Sequence, residues 1–199
     1  MNKFKVMAKA RINSKEQLER IQIMRAKSDF LKKQSFADLT KTPNPKSWSA
    51  IEAIEHMVIA HKAYEDKIDN CLKELGASNQ DINEVTARSI PSYLIKRFPP
   101  KEGKIKFKMK TFKRFYPIFN IKNIGQDQID LTLSNFEKSL DHLESAVKLY
   151  PSKNVESIKF NSAIGATVKF NVAEACEFVI CHNERHLLQA ENVLGKSLS

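Results

Sequence analysis

Between residues 127 and 149, Ile129, Leu133, Phe136, Leu140, Leu143 and Val147 recur at alternating steps of four and three, with no glycine or proline among them. Such steps place side chains on one face of an α-helix, so the segment predicts a helix whose apolar stripe must be covered by neighbours. Pro151 stops it. Three other segments carry the same pattern. The first opens at Ser14, where Ser14-Lys15-Glu16-Gln17 fits a capping box, and carries Leu18, Ile21, Met24, Ser28 and Leu31 at helical spacing. The second opens on a capping box at Ser49 with Glu52 and runs to Gly76. The last starts at Asn171, has Glu174 three residues on, and ends at Gly195. Helices are therefore expected over 14–38, 49–76, 127–149 and 171–195. Only five glycines and seven prolines punctuate the 199 residues, so the expectation is an all-α chain. It forms a four-helix bundle as one domain over 1–199, with a long crossover between helices 2 and 3.

A chain of this length buries roughly 70% of the surface its unfolded form exposes and needs neither disulfides nor a structural metal merely to fold. Its three cysteines, Cys71, Cys176 and Cys181, are odd in number with no C-x-x-C pair, and the opening residues lack an apolar run of signal-peptide length. A reducing, cytoplasmic protein is expected. No stretch approaches about 18 uninterrupted apolar residues, which argues against a membrane span.

The formal net charge is +10, and most of it is local: between Lys96 and Arg114 nine basic residues face Glu102 alone. This stretch lies within about fifty residues separating helices 2 and 3, too long for a structureless connection. Residues 91–98 read as a short helix with proline in its first turn. Residues 104–110 alternate lysine with Ile105, Phe107 and Met109, which predicts an extended strand with one face on the core. A solvated loop, a site for an anionic ligand and a nucleic-acid surface are the three readings of 96–114, and no nucleic-acid motif accompanies it. Alternation favours the first.

Position separates the five histidines. His142 follows Leu140 by two residues, ~200° round the helix from the apolar stripe, and points to solvent. His182 and His186 are one turn apart on the apolar face that carries Val179 and Val193. Each is either satisfied by a hydrogen bond in the core or, with its neighbour, able to converge on one metal ion that takes a third ligand from another element. In the second helix His56 and His61 both lie at the edge of the apolar arc. Ala53, Ala60 and Ala63 leave room beside His56, whereas Met57, Val58, Tyr64 and Glu65 crowd His61, so local bulk favours His56.

Two blocks carry a resemblance. Trp48-Ser49-Ala50-Ile51-Glu52-Ala53-Ile54-Glu55-His56 is similar to W-S-x-x-E-x-x-x-H, and the segment from Phe178 to Gln189 is similar to H-x-x-R-H-x-x-Q, of the DinB-like (DinB/YfiT-like) metal-binding four-helix bundles. Gly165 also sits where that family often has a glycine, although Asn161-Ser162 stands near its frequent His-Pro. The resemblance implies His56, His182 and His186 as a triad on one divalent ion, and sets His61 aside. It does not name the ion among zinc, nickel, iron and manganese.

Three neutral histidines leave a divalent ion its full charge and open positions, which suits catalysis more than scaffolding. The resemblance implies a metal-dependent hydrolase or a low-molecular-weight-thiol S-transferase acting on a small molecule. The alternatives are a non-enzymatic metal- or ligand-binding bundle, as a homodimer, and a nucleic-acid-binding protein acting through the basic crossover. Glu55 and Glu184 adjoin the histidines but face other directions on their helices, and Cys181 points ~100° from His182, so none of them joins the ligand set.

Overall fold

The computed structural model describes residues 9–107 and 109–198; residues 1–8, Lys108 and Ser199 lie outside the described residues. The chain is mostly helical. Its long helices are α1 (Ser14–Lys32), α3 (Ala50–Glu74), α5 (Gln126–Leu149) and α6 (Val172–Leu194), with the short α2 (Phe36–Thr40) and α4 (Ser89–Arg97) between them. Both α3 and α1 pack against α5 and α6, so the four apolar stripes meet along one axis. Phe136, Tyr150, Phe170 and Phe178 are fully buried there. Among the described residues no helix is long and apolar enough to cross a membrane.

Local sequence explains most of the helix ends. At Ser49 and at Asn171 the capping box closes as expected: each side chain accepts from the backbone N–H three residues on, and Glu52 or Glu174 accepts in return. Gly195 ends α6 at φ +65°, where a Cβ would be strained.

The first helix departs from expectation at both ends. Asn13, not Ser14, caps α1 by accepting from Lys15 and Glu16. Ser14 instead donates to Asn83, and Gln17, expected to close the cap, is fully buried. Its amide donates to Glu177 at 3.0 Å and accepts from the Tyr150 hydroxyl at 2.8 Å. A partner across the core outcompetes a cap that water could replace. The helix expected to reach residue 38 stops at Lys32, because the Ser35 side chain captures the Asp38 N–H and starts α2.

Two small antiparallel two-stranded sheets accompany the helices: β1 (Arg11–Asn13) with β2 (Glu84–Thr86), which α1 to α3 separate in sequence, and the hairpin of β3 (Phe160–Ser162) with β4 (Gly165–Phe170). Gly165 opens β4. Neither sheet was expected from the apolar pattern, which is short there.

In the crossover, α4 forms with Pro91 in its first turn, as expected. Beyond it the strand expected over 104–110 is absent among the described residues. A strand needs a neighbour for its backbone groups, and among the described residues only Lys104 finds one, in a single bridge to Lys101. The Phe107 carbonyl instead accepts from Arg185 at 2.5 Å. Ile105 and Phe107 are half-buried as that reading required, but Met109 and Phe112 are exposed. Lys101, Lys104, Lys106, Lys110 and Lys113 are exposed, with Lys106 paired to Glu102.

Glu174 ties the crossover to α6. Its carboxylate is fully buried, accepts from the Arg88 guanidinium and backbone N–H, and completes the α6 cap. Glu174→Ala removes all three roles and leaves Arg88 without its carboxylate. We expect a loss of about 2–4 kcal/mol in urea unfolding. A loss under about 0.5 kcal/mol, the size of an ordinary surface substitution, would show that this junction carries no stability.

Candidate metal centre

Packing of α3 on α6 brings His56 against the one-turn pair His182 and His186. One ring nitrogen from each lies within 4.8 Å of the other two. His56 Nε2 stands 3.1 Å from His182 Nε2. Ring centroids are 4.5 Å apart for His56 and His186, and 4.5 Å for His182 and His186. His61 and His142 lie outside this cluster, paired with each other, although His61 borders the same cavity. Thus the structure gathers the three histidines singled out from the sequence and leaves out the two set aside.

Hydrogen bonds fix which nitrogens are free. His56 Nδ1 lies 2.7 Å from the Phe115 carbonyl, which can only accept, so Nδ1 carries the proton and Nε2 is bare. His186 Nδ1 lies 3.0 Å from Gln189 Oε1; with that oxygen accepting, His186 Nε2 is bare as well. A carbonyl behind each imidazole is the arrangement that orients metal-ligating histidines. Neither partner was singled out from the sequence. Gln189 belonged to a quoted motif, but nothing in the pattern points to the Phe115 carbonyl, which arrives from the crossover.

Burial holds all three imidazoles neutral. His182 is held well below the ordinary histidine value by desolvation and by the charge of His56, and His186 by desolvation and by the charges of His182 and His56; Arg185 lowers both further. His56 is lowered by desolvation first, with the Phe115 hydrogen bond opposing and Arg185 adding. Neutral imidazole is the metal-binding form.

The site therefore fits a divalent cation on the chemistry of its donors. Two bare nitrogens about 2.0–2.1 Å from one tetrahedral ion stand about 3.3–3.4 Å apart, close to the separation found between His56 and His182. With His56 Nε2 bare, the 3.1 Å contact to His182 Nε2 is bridged either by a proton on His182 or by a cation that both nitrogens ligate.

A cavity of about 420 Å³ opens on the triad, walled by Trp48, Phe98, Phe112, Tyr116 and Arg185 among others. The Trp48 ring lies 4.9 Å from His56, tilted 43° to it, and Arg185 lies 5.7 Å over the Phe98 ring. The exposed Met109 and Phe112 of the crossover also line this cavity, which is where the apolar side of the expected strand goes. Carboxylates stay away: Glu55 accepts from Thr132 and lines a separate open groove, while Glu184 pairs with Arg20. Cys181 is buried, its thiol directed to Ile95 and Glu177 and pushed well up by desolvation. As expected, none of these residues faces the triad.

Gln189→Ala removes the acceptor that orients His186 and leaves the ligand itself in place. We expect zinc affinity, measured by competition with a chromogenic chelator, to fall about 10- to 100-fold. Unchanged affinity would show that this hydrogen bond does not set the ring. Comparison with family models, with curated proteins and with solved structures finds no match to this chain.

Proposed function

We propose that the chain is a DinB-like, metal-dependent enzyme in which His56, His182 and His186 hold one divalent ion, and that it acts as a hydrolase or low-molecular-weight-thiol S-transferase on a small molecule. One observation carries the reading: three neutral imidazoles converge within 4.8 Å with no carboxylate or thiolate among them, at the floor of an accessible cavity. Such a donor set leaves the ion undiminished charge and open positions, unlike the closed four-ligand shells of structural sites. Bound there, the ion supplies a Lewis acid that lowers the pKa of a coordinated water or thiol.

The chain's own residues do the rest. The Phe115 and Gln189 oxygens orient two of the rings. Trp48, Phe98 and Phe112 exclude water from the ligand's apolar part. Arg185, held by Phe107, places a fixed positive charge in the wall that favours an anionic group on the substrate. A volume of about 420 Å³ suits a small molecule and not a polymer.

Elemental analysis of the purified protein, followed by turnover of 4-nitrophenyl acetate with and without a chelator, tests the reading. About one equivalent of zinc, nickel, iron or manganese per chain, with turnover that the chelator abolishes and the ion restores, is the expected result. A chain that neither carries nor takes up such an ion contradicts it. Stoichiometric metal without turnover of ester, or of an electrophile offered with a small thiol, favours the non-enzymatic bundle.

A further inference from the structure

Between α3 and α5, two histidines and an aspartate form a hydrogen-bonded chain. His61 Nε2 lies 3.0 Å from His142 Nδ1 on α5, and His142 Nε2 lies 2.9 Å from Asp69 Oδ1 on α3. Exposure grades along it. His61 is 2% exposed, the His142 side chain 15% and the Asp69 side chain 45%. His61 also forms part of the wall of the three-histidine cavity. Its Nδ1 is buried without any hydrogen-bond partner, one of two such side-chain atoms among the described residues.

The proton positions follow from the outer end inward. A carboxylate only accepts, so His142 Nε2 carries its proton toward Asp69. A neutral imidazole has one N–H, so His142 Nδ1 is bare and accepts from His61 Nε2–H. That leaves His61 Nδ1 as a bare lone pair inside the molecule. An ordinary buried histidine uses that atom to satisfy a neighbour; this one has none.

We propose that Asp69, His142 and His61 are a proton relay, in which His61 Nδ1 takes a proton from an O–H or S–H group bound in the cavity and the charge comes to rest on His142 beside Asp69. The step balances. The O–H or S–H bond breaks with its electron pair staying on oxygen or sulfur, and the proton joins His61 Nδ1. The His61 Nε2–H proton passes to His142 Nδ1, making an imidazolium that keeps its Nε2–H on Asp69. His61 begins and ends neutral and only changes tautomer.

Relaying is needed because His61 cannot hold the charge. Burial, reinforced by His142 and Lys62 and opposed by Asp69, pushes it down to about 3. Lys62 is itself paired with Glu65, so Asp69 is the carboxylate within hydrogen-bond reach of the chain. His61 is the member of the chain that borders the cavity and would meet the ligand; His142 and Asp69 are positioning residues. This inference rests on reading the cavity as a place where a ligand loses a proton.

Imidazole ¹⁵N NMR of the full chain, labelled at histidine, tests it from pH 8 down to the onset of acid unfolding. At pH 8 we expect His61 and His142 both as the Nε2–H tautomer. As the pH falls, the relay predicts that His61 changes to Nδ1–H while staying neutral. In Asp69→Ala the change moves to lower pH, and in His142→Phe it is lost. A His61 that keeps one tautomer throughout, or becomes charged itself, overturns the relay.

The zinc-loaded protein supplies the second arm. At unchanged zinc content, Asp69→Ala and His142→Phe should slow 4-nitrophenyl acetate hydrolysis by at least about tenfold. Equal rates at equal folding would reduce the chain to a structural contact and overturn the proposal. If zinc does not bind at all while the tautomer change is seen, the metal reading fails and the relay stands.

Discussion

Alanine at His56, His182 or His186 is expected to weaken zinc binding by more than 100-fold, while His61→Ala and His142→Ala leave it within a few-fold. The difference follows from what each side chain does. Loss of an orienting partner behind a ligand costs about 10- to 100-fold in metal affinity, and removing the ligand itself leaves two nitrogens where three converged. His61 and His142 spend their facing nitrogens on each other, 3.0 Å apart, and cannot offer them to the triad. Chelator competition on the five variants, with circular dichroism to confirm folding, measures this. Zinc bound by His56→Ala as tightly as by the parent chain would exclude the triad as the site.

A second large effect is expected from acid on the metal-free protein. His56, His61, His182 and His186 all have folded values lowered by burial. The sign is fixed by linkage. Below the unfolded histidine value of about 6.5 the unfolded chain takes up protons that the folded chain refuses, so stability is full above that pH and falls beneath it. Each refused proton costs about 1.4 kcal/mol per pH unit once the unfolded histidine is charged. Four together cost about 5 kcal/mol per unit, comparable with the whole stability of an ordinary domain. Metal-free protein should therefore lose cooperative structure near pH 5, and one equivalent of zinc should shift that transition downward. Urea midpoints that stay level between pH 7 and 5 would mean that the histidines are not held neutral by the fold.

What the sequence made legible was whatever depends on local spacing. The four long helices follow from three- and four-residue steps, and two of three capping boxes stand where serine or asparagine precedes glutamate by three. His182 and His186 had to share a face because they are one turn apart. Their meeting with His56 lay beyond periodicity: bulk and resemblance indicated it, since two edge positions on α3 fit the pattern equally well.

Reading failed where long-range partners decide. Gln17 belongs to a core network with Glu177 and Tyr150 and not to a cap. Residues 104–110 alternate like a strand, yet among the described residues no strand lies beside them and Arg185 donates to the Phe107 carbonyl. His142 was placed in solvent by its angle on the wheel, but the long imidazole reaches back to His61. In each case the competing partner is more than 70 residues away.

The most direct test is X-ray absorption at the zinc edge on the full chain loaded with one equivalent of zinc. The account predicts a first shell with three imidazole nitrogens at about 2.0–2.1 Å, the remaining positions filled by lighter oxygen donors, and no sulfur. It also predicts that the imidazole scattering falls by one ligand in each of His56→Ala, His182→Ala and His186→Ala that still retains metal. A shell containing cysteine sulfur, or fewer than three imidazoles in the parent chain, would contradict it.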